Sequence, residues 1–162
     1  MIPTITVESK AVLARFSASG IPESVRTNLR QMIPGLVRKV GKEVDSRIAA
    51  GLKSRASLKT EIHMLESPKR IAGRVRVVYQ GGDKTKSMLP RWLESGTKAH
   101  PIVARNASAL YFYWEKIGAY FIGPKVMHPG FPGIQYMEGA IETMRPEIMS
   151  VVEEAARRGA SR

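Results

Sequence analysis

Ser95 and Lys98 stand three residues apart in "SGTK", the spacing at which a lysine can serve as base for a serine nucleophile in serine acylases. A four-residue match of this kind arises often by chance, and no S-D-N or K-T-G partner follows it, so the pair is not expected to carry acyl transfer. "GGDKTKS", Gly81 to Ser87, has the composition of a phosphate loop. It lacks the G-x-x-x-x-G-K-[ST] spacing that lets backbone amides surround a phosphate while a lysine reaches it. His63, His100 and His128 share no metal-ligand spacing, and the last two each precede a proline, which favours extended backbone. They are expected as turn and packing residues. Glu153 and Glu154 are adjacent, so they diverge around a helix and cannot converge as an acid/base pair. The chain has no cysteine, which removes disulfides, thiolate metal sites and cysteine nucleophiles and is compatible with a reducing cytosol. The expectation is a protein that is not an enzyme and holds no metal or cofactor.

What the chain does carry is charge. The formal net charge is +12, and between Ile21 and Arg91 there are 16 Lys/Arg against 6 Asp/Glu, a balance of +10 in less than half of the chain. Such a patch favours polyanions through Coulomb attraction and counterion release. Nucleic acid is the leading candidate, an acidic protein surface the second, and a merely solvated face the alternative to both. A metal-dependent nuclease would need a carboxylate cluster, and the acids here are scattered.

The elements that must carry this surface read as one α+β domain, with a long N-terminal amphipathic helix and a C-terminal helix packed on a small, mainly antiparallel β-sheet. A chain of 162 residues can bury a core without disulfides or metals. "TITVE" alternates like a strand, and "SKAVLARFSAS" is expected as two helical turns with Val12, Leu13 and Phe16 on one side. After Gly20, with Pro22 suited to the first helical position, apolar residues recur from Val25 through Leu29, Ile33, Val37, Val40 and Val44 to Ile48. Arg26, Arg30, Arg38 and Lys42 fall largely off that stripe and are expected to face DNA or an acidic partner. Pro34 is expected to kink or break this helix, and Pro146 to kink the last one, from about Tyr136 to Arg158. "LKTEIHML" and "RIAGRVRVVYQ" read as strands, the second with an apolar and a basic face. "LPRWLESGT" reads as a short helix stopped by Gly96, and "ALYFYW" and "AYFIG" as a hairpin. The opening "MIPTITVESK" has neither a basic start nor an apolar core of a signal, and no apolar run approaches the roughly 20 residues that span a bilayer. A soluble, unprocessed protein with no membrane partner is expected.

"VMHPGFPGIQYMEGAI" joins the hairpin to the final helix. Pro129 and Pro132 fix φ, while Gly130 and Gly133 admit the positive φ that a type II turn requires, so two consecutive turns and a rigid loop are expected. Phe131, between those turns, either tucks under its own domain or is presented to a neighbour.

Taken in order, "WLESGTKAHPI", "ALYFYW" and "VMHPGFPGIQYMEGAIE" after a basic helix and a strand pair resemble the neck and tail-completion family of tailed bacteriophages, which includes head–tail connectors and minor tail components. The resemblance runs from about Ile21 to the C-terminus. It rests on Glu94, Gly96 and Thr97, on His100 and Pro101, on Leu110 and Phe112, and on His128, Pro129 and Gly130. Two departures stand out. "SRASLKTEI" replaces the family's Pro-x-x-Thr-Gly-x-Leu turn after the long helix, and Gln135-Tyr136 replaces its Pro-Phe. The resemblance implies an α+β fold without enzymatic activity, resident in the virion and in host cytoplasm during assembly. It implies a single domain over 1–162, with a loop or hairpin projecting at about 98–133. It implies a homo-oligomeric ring around the DNA channel at the head–tail junction, contacting head-closure or connector and tail terminator or tail tube proteins and, non-specifically, packaged DNA. The residues expected at subunit or partner interfaces are Glu94, Gly96, Thr97, His100, Phe112, His128, Pro129, Gly130, Phe131 and Tyr136. The alternative is a basic, non-enzymatic DNA-binding accessory protein.

Overall fold

The structure, a computed structural model, describes residues 4–8, 11–17, 21–52, 57–67, 70–82, 84–115 and 117–160. The chain divides into two compact units, one of Met1–Ser95 with Ile134–Arg162 and one of Gly96–Gly133. The segment expected to project at about 98–133 is therefore a unit in its own right.

The first unit is α+β. Its sheet is antiparallel with strand order β1-β2-β4-β3, from β1 (Thr4–Glu8), β2 (Ala11–Ser17), β3 (Leu58–Ser67) and β4 (Arg70–Tyr79). β2 occupies the stretch expected as helical turns, and it pairs with β1 from Ala11↔Glu8 to Arg15↔Thr4 and with β4 from Ala11↔Arg76 to Ser17↔Arg70. A seven-residue apolar run is ambiguous between the two periods, and pairing on both edges decides it. The connection at 53–56, which takes in the start of "SRASLKTEI", lies outside the described residues.

Helix α1 (Glu23–Gly51) begins one residue later than expected, with Pro22 as its cap, and ends as the Leu52 N–H donates to Ile48 O. It runs through Pro34 without a break. The missing backbone bond costs about 3 kcal/mol. Burial of Leu29 and Ile33 before the proline and Leu36 and Val37 after it outweighs that loss, since each such side chain contributes roughly 2 kcal/mol. Both the sheet and the last helix, α3 (Tyr136–Ala160), pack on α1. On β4, Ile71, Val75 and Val77 are buried and Gly73 occupies the slot between them; a Cβ there would overlap Val37 Cγ2 of α1. Gly159 of α3 plays the same part against Val25. Buried Asn28 is satisfied across the helix pair, its Nδ2 donating to Ala155 O at 3.2 Å. Pro146 likewise leaves α3 unbroken. After β4 come a 3-10 turn at Lys84–Met88, in the stretch expected as a loop, and helix α2 (Leu89–Ser95).

The second unit consists of two short antiparallel ladders. β5 (His100–Val103) pairs with β8 (Lys125–His128), and β6 (Leu110–Trp114) pairs with β7 (Ala119–Gly123). The latter is the expected hairpin. None of the described helices is long and apolar enough to cross a membrane.

Candidate functional site

In the first unit, α2 is tied to the start of α3. Glu94, in the last turn of α2, is buried, and its carboxylate accepts from the backbone N–H of Met137 at 2.9 Å and of Glu138 at 3.1 Å. These are first-turn donors that the helix cannot satisfy itself, and a carboxylate also complements the positive end of the helix. Glu94 is thus a cap delivered from 43 residues away. Tyr136 is 1% exposed, and its hydroxyl donates to Pro90 O at 2.8 Å. Burial, and then the nearby Glu94 carboxylate, push its phenol well above the usual tyrosine value. Both residues were expected at a partner interface; both are instead interior parts of their own unit, because a helix end needs an acceptor and a buried phenol needs one too. Gln135 has φ 48°, which the ring of a proline forbids.

The second unit is organised by glycines. Gly130 (φ 87°) and Gly133 (φ 80°) adopt the left-handed backbone expected of them, and so does Gly96 (φ 74°), expected as the helix stop. A Cβ on Gly96 would strike Phe131 O, and one on Gly130 would strike Thr97 O. Between these contacts Thr97 and Phe131 exchange both backbone hydrogen bonds, at 2.7 and 2.9 Å. Half-buried Phe131 is therefore held by its backbone within its own unit. The histidines serve the same turns. His100 and His128 are cross-strand partners whose rings lie 5.0 Å apart. His128 Nδ1 accepts from the Gly130 N–H at 3.1 Å, and His100 Nδ1 donates to Lys98 O at 2.8 Å. Among the described residues, no group of three His, Asp or Glu side chains comes together as a metal site. Ser95 and Lys98 fall in different units.

Phe112 and Trp114 line a cavity of about 180 Å³ with Ile102, Val126, His128 and Pro129. The opposite side of the same hairpin is open. Tyr111 faces Ile122 and Tyr113 faces Tyr120 in register, and the four are 67%, 70%, 52% and 62% exposed. Tyr111 and Tyr120 stack at 5.1 Å, and Tyr113 meets Tyr120 edge-on at 5.3 Å. The sequence does not reveal this face: of the hairpin, Leu110 and Phe112 are singled out there, and only Phe112 is expected at an interface. In "LYFYW" both alternating sets carry aromatics, so period two marks a strand without choosing its outer side.

The basic face expected on α1 is smaller than its charge count. Arg30 bonds to Glu23 at 2.7 Å and to Glu66 at 2.5 Å, which raises its pKa further, chiefly through the bond to Glu66. The Arg26 side chain is only 15% exposed and lies 3.6 Å from Glu23. Lys39 pairs with Glu147, and Arg47 bonds to Glu43 and Thr143. Of the four α1 cations expected to face DNA or an acidic partner, Arg38 and Lys42 stay exposed and without an ion pair among the described residues.

Comparison of the chain with family models, with curated proteins and with solved structures gives no match.

Proposed function

We propose that the chain is a structural, non-enzymatic protein of a tailed-bacteriophage virion, part of the neck at the head–tail junction, where copies assemble as a ring around the DNA channel. The observation that carries this reading is the tyrosine face. A chain of net charge +12 resists self-association by like-charge repulsion wherever cations meet cations. Tyr111, Tyr113, Tyr120 and Ile122 offer an exposed, uncharged and strongly aromatic surface instead. Rigid aromatics of this kind contribute the largest share of binding energy at protein interfaces. The order of Glu94, Gly96 and Thr97, then His100 and Pro101, then His128, Pro129 and Gly130 supplies the family assignment. Connector or head-closure proteins and tail terminator or tube proteins are the neighbours of such a ring. The exposed Arg38 and Lys42 favour the second reading, a DNA-binding accessory protein.

The test pairs mass photometry of the purified chain with complementation of a phage lacking it. Tyr111→Ser/Tyr120→Ser is expected to melt within a few degrees of the parent, to lose its oligomer, and to yield unjoined heads and tails. A monodisperse monomer for the parent at all concentrations, together with full complementation by the double variant, would remove the tyrosine face from assembly. Sequence-specific duplex binding that persists at moderate salt would favour the accessory protein.

A further inference from the structure

Much of the α1 charge is neutralised, and beyond Arg38 and Lys42 further cations without an ion pair among the described residues lie on β4 and α2. A cavity of about 160 Å³ in the first unit is lined by Arg76, Tyr79, Ser87, Pro90 and Arg91 beside two valines of β4. Arg76 and Arg91 are both exposed, and among the described residues neither makes an ion pair or hydrogen bond and no carboxylate lines the cavity. Glu61 is the cross-strand neighbour of Arg76, and its carboxylate lies 3.5 Å from His63 Nε2. One pleat along the same face, Arg74 has its Nε buried without a hydrogen-bond partner among the described residues. Lys59, opposite Val78 in register, adds a further exposed cation to this side of the sheet.

We infer that this cavity, with Arg76 and Arg91 as its anion-binding forks, takes backbone phosphate of a duplex nucleic acid. Guanidinium presents paired N–H donors that match phosphate oxygens, and Ser87 adds a hydroxyl donor. A free phosphate dianion would need an enclosing set of donors. Here Arg76 and Arg91 share an open cavity, and Lys59 and Arg74 lie on the Arg76 face of the sheet, with the Glu61 carboxylate across from Arg76, so the cations are spread over a surface as contact with a polyanion requires. No base-reading geometry accompanies them, so contact is with the backbone and independent of sequence. The inference stands apart from the virion reading, which is tested by oligomer formation and complementation rather than by duplex binding.

Two measurements on the full chain test it. In a salt series with several unrelated 20-base-pair duplexes, Arg76→Gln/Arg91→Gln is expected to weaken binding at least tenfold and to lower the salt slope by about two, whereas Arg38→Gln/Lys42→Gln changes affinity less. Unchanged affinity and slope in Arg76→Gln/Arg91→Gln overturn the assignment. On the unmutated chain, duplex is expected to slow dicarbonyl modification of Arg76 and Arg91 more than that of Arg38, read by mass spectrometry. Equal rates with and without duplex, or protection by inorganic phosphate as strong as by duplex at equal phosphate concentration, also overturn it.

Discussion

Leu29, Ile33, Val44 and Ile48 in the first unit are at most 2% exposed, while Tyr111 and Ile122 in the second are 67% and 70% exposed. Among the described residues every buried apolar side chain belongs to the first unit, and nine of the thirteen large exposed ones belong to Gly96–Gly133. The contrast follows from size. A 38-residue unit cannot enclose a core of its own, and chains this short generally need a disulfide, a metal or a partner. This one has no cysteine, and it is shaped by glycine turns, one reciprocal backbone pair and aromatic cross-strand contacts. Order obtained through turns rather than through a core leaves aromatic surface outside, where a partner can use it without the entropy cost of ordering a loop.

Three substitutions sharpen or break this contrast. The largest effect is expected from Ile33→Ala, which empties a fully buried site between α1 and its neighbours and costs about 2–5 kcal/mol. Calorimetry should show a strongly lowered melting temperature. A loss under about 1 kcal/mol would mean that the first unit is not the stability core described. Next, Gly96→Ala forces a side chain into left-handed backbone against Phe131 O, for a cost of about 1–2 kcal/mol. The loss should be local. Hydrogen exchange is expected to accelerate at Thr97 and Phe131 while α1 amides keep their protection, and uniform acceleration across both units would erase the distinction between them.

The smallest effect is at Tyr136. Its phenol is raised in the folded state, so the neutral form is favoured there and the stability it brings is complete below about pH 10, the unfolded value. Above that pH the unfolded chain releases a proton that the folded chain keeps. Stability should therefore fall by up to about 1.4 kcal/mol per pH unit from this group. Tyr136→Phe forfeits the bond to Pro90 O, about 1 kcal/mol, and should flatten the alkaline limb of the denaturation profile. An unchanged limb would place the titrating group elsewhere.

Much of the architecture is legible along the chain, for reasons that are local. The stripe from Leu29 to Ile48 spells α1, the alternation of Ile71, Val75 and Val77 spells β4, and the glycines at 96, 130 and 133 announce the positive φ they adopt. Periodicity and turn chemistry are properties of neighbours in sequence, so a sequence displays them. β2 escaped this logic because a short apolar run fits either period, and only its partners at β1 and β4 choose. The site residues escaped for the same reason at longer range. Glu94 looks like a surface acid until the amides of Met137 and Glu138 arrive beside it, and Tyr136 like an interface aromatic until Pro90 O receives its hydroxyl. Arg30 counts as a free cation until Glu66, on β3, closes on it. Charge, composition and spacing belong to the sequence by itself. Which charges remain unpaired, and which aromatics remain outside, is decided only when residues distant in the chain compete for the same partner or the same buried space.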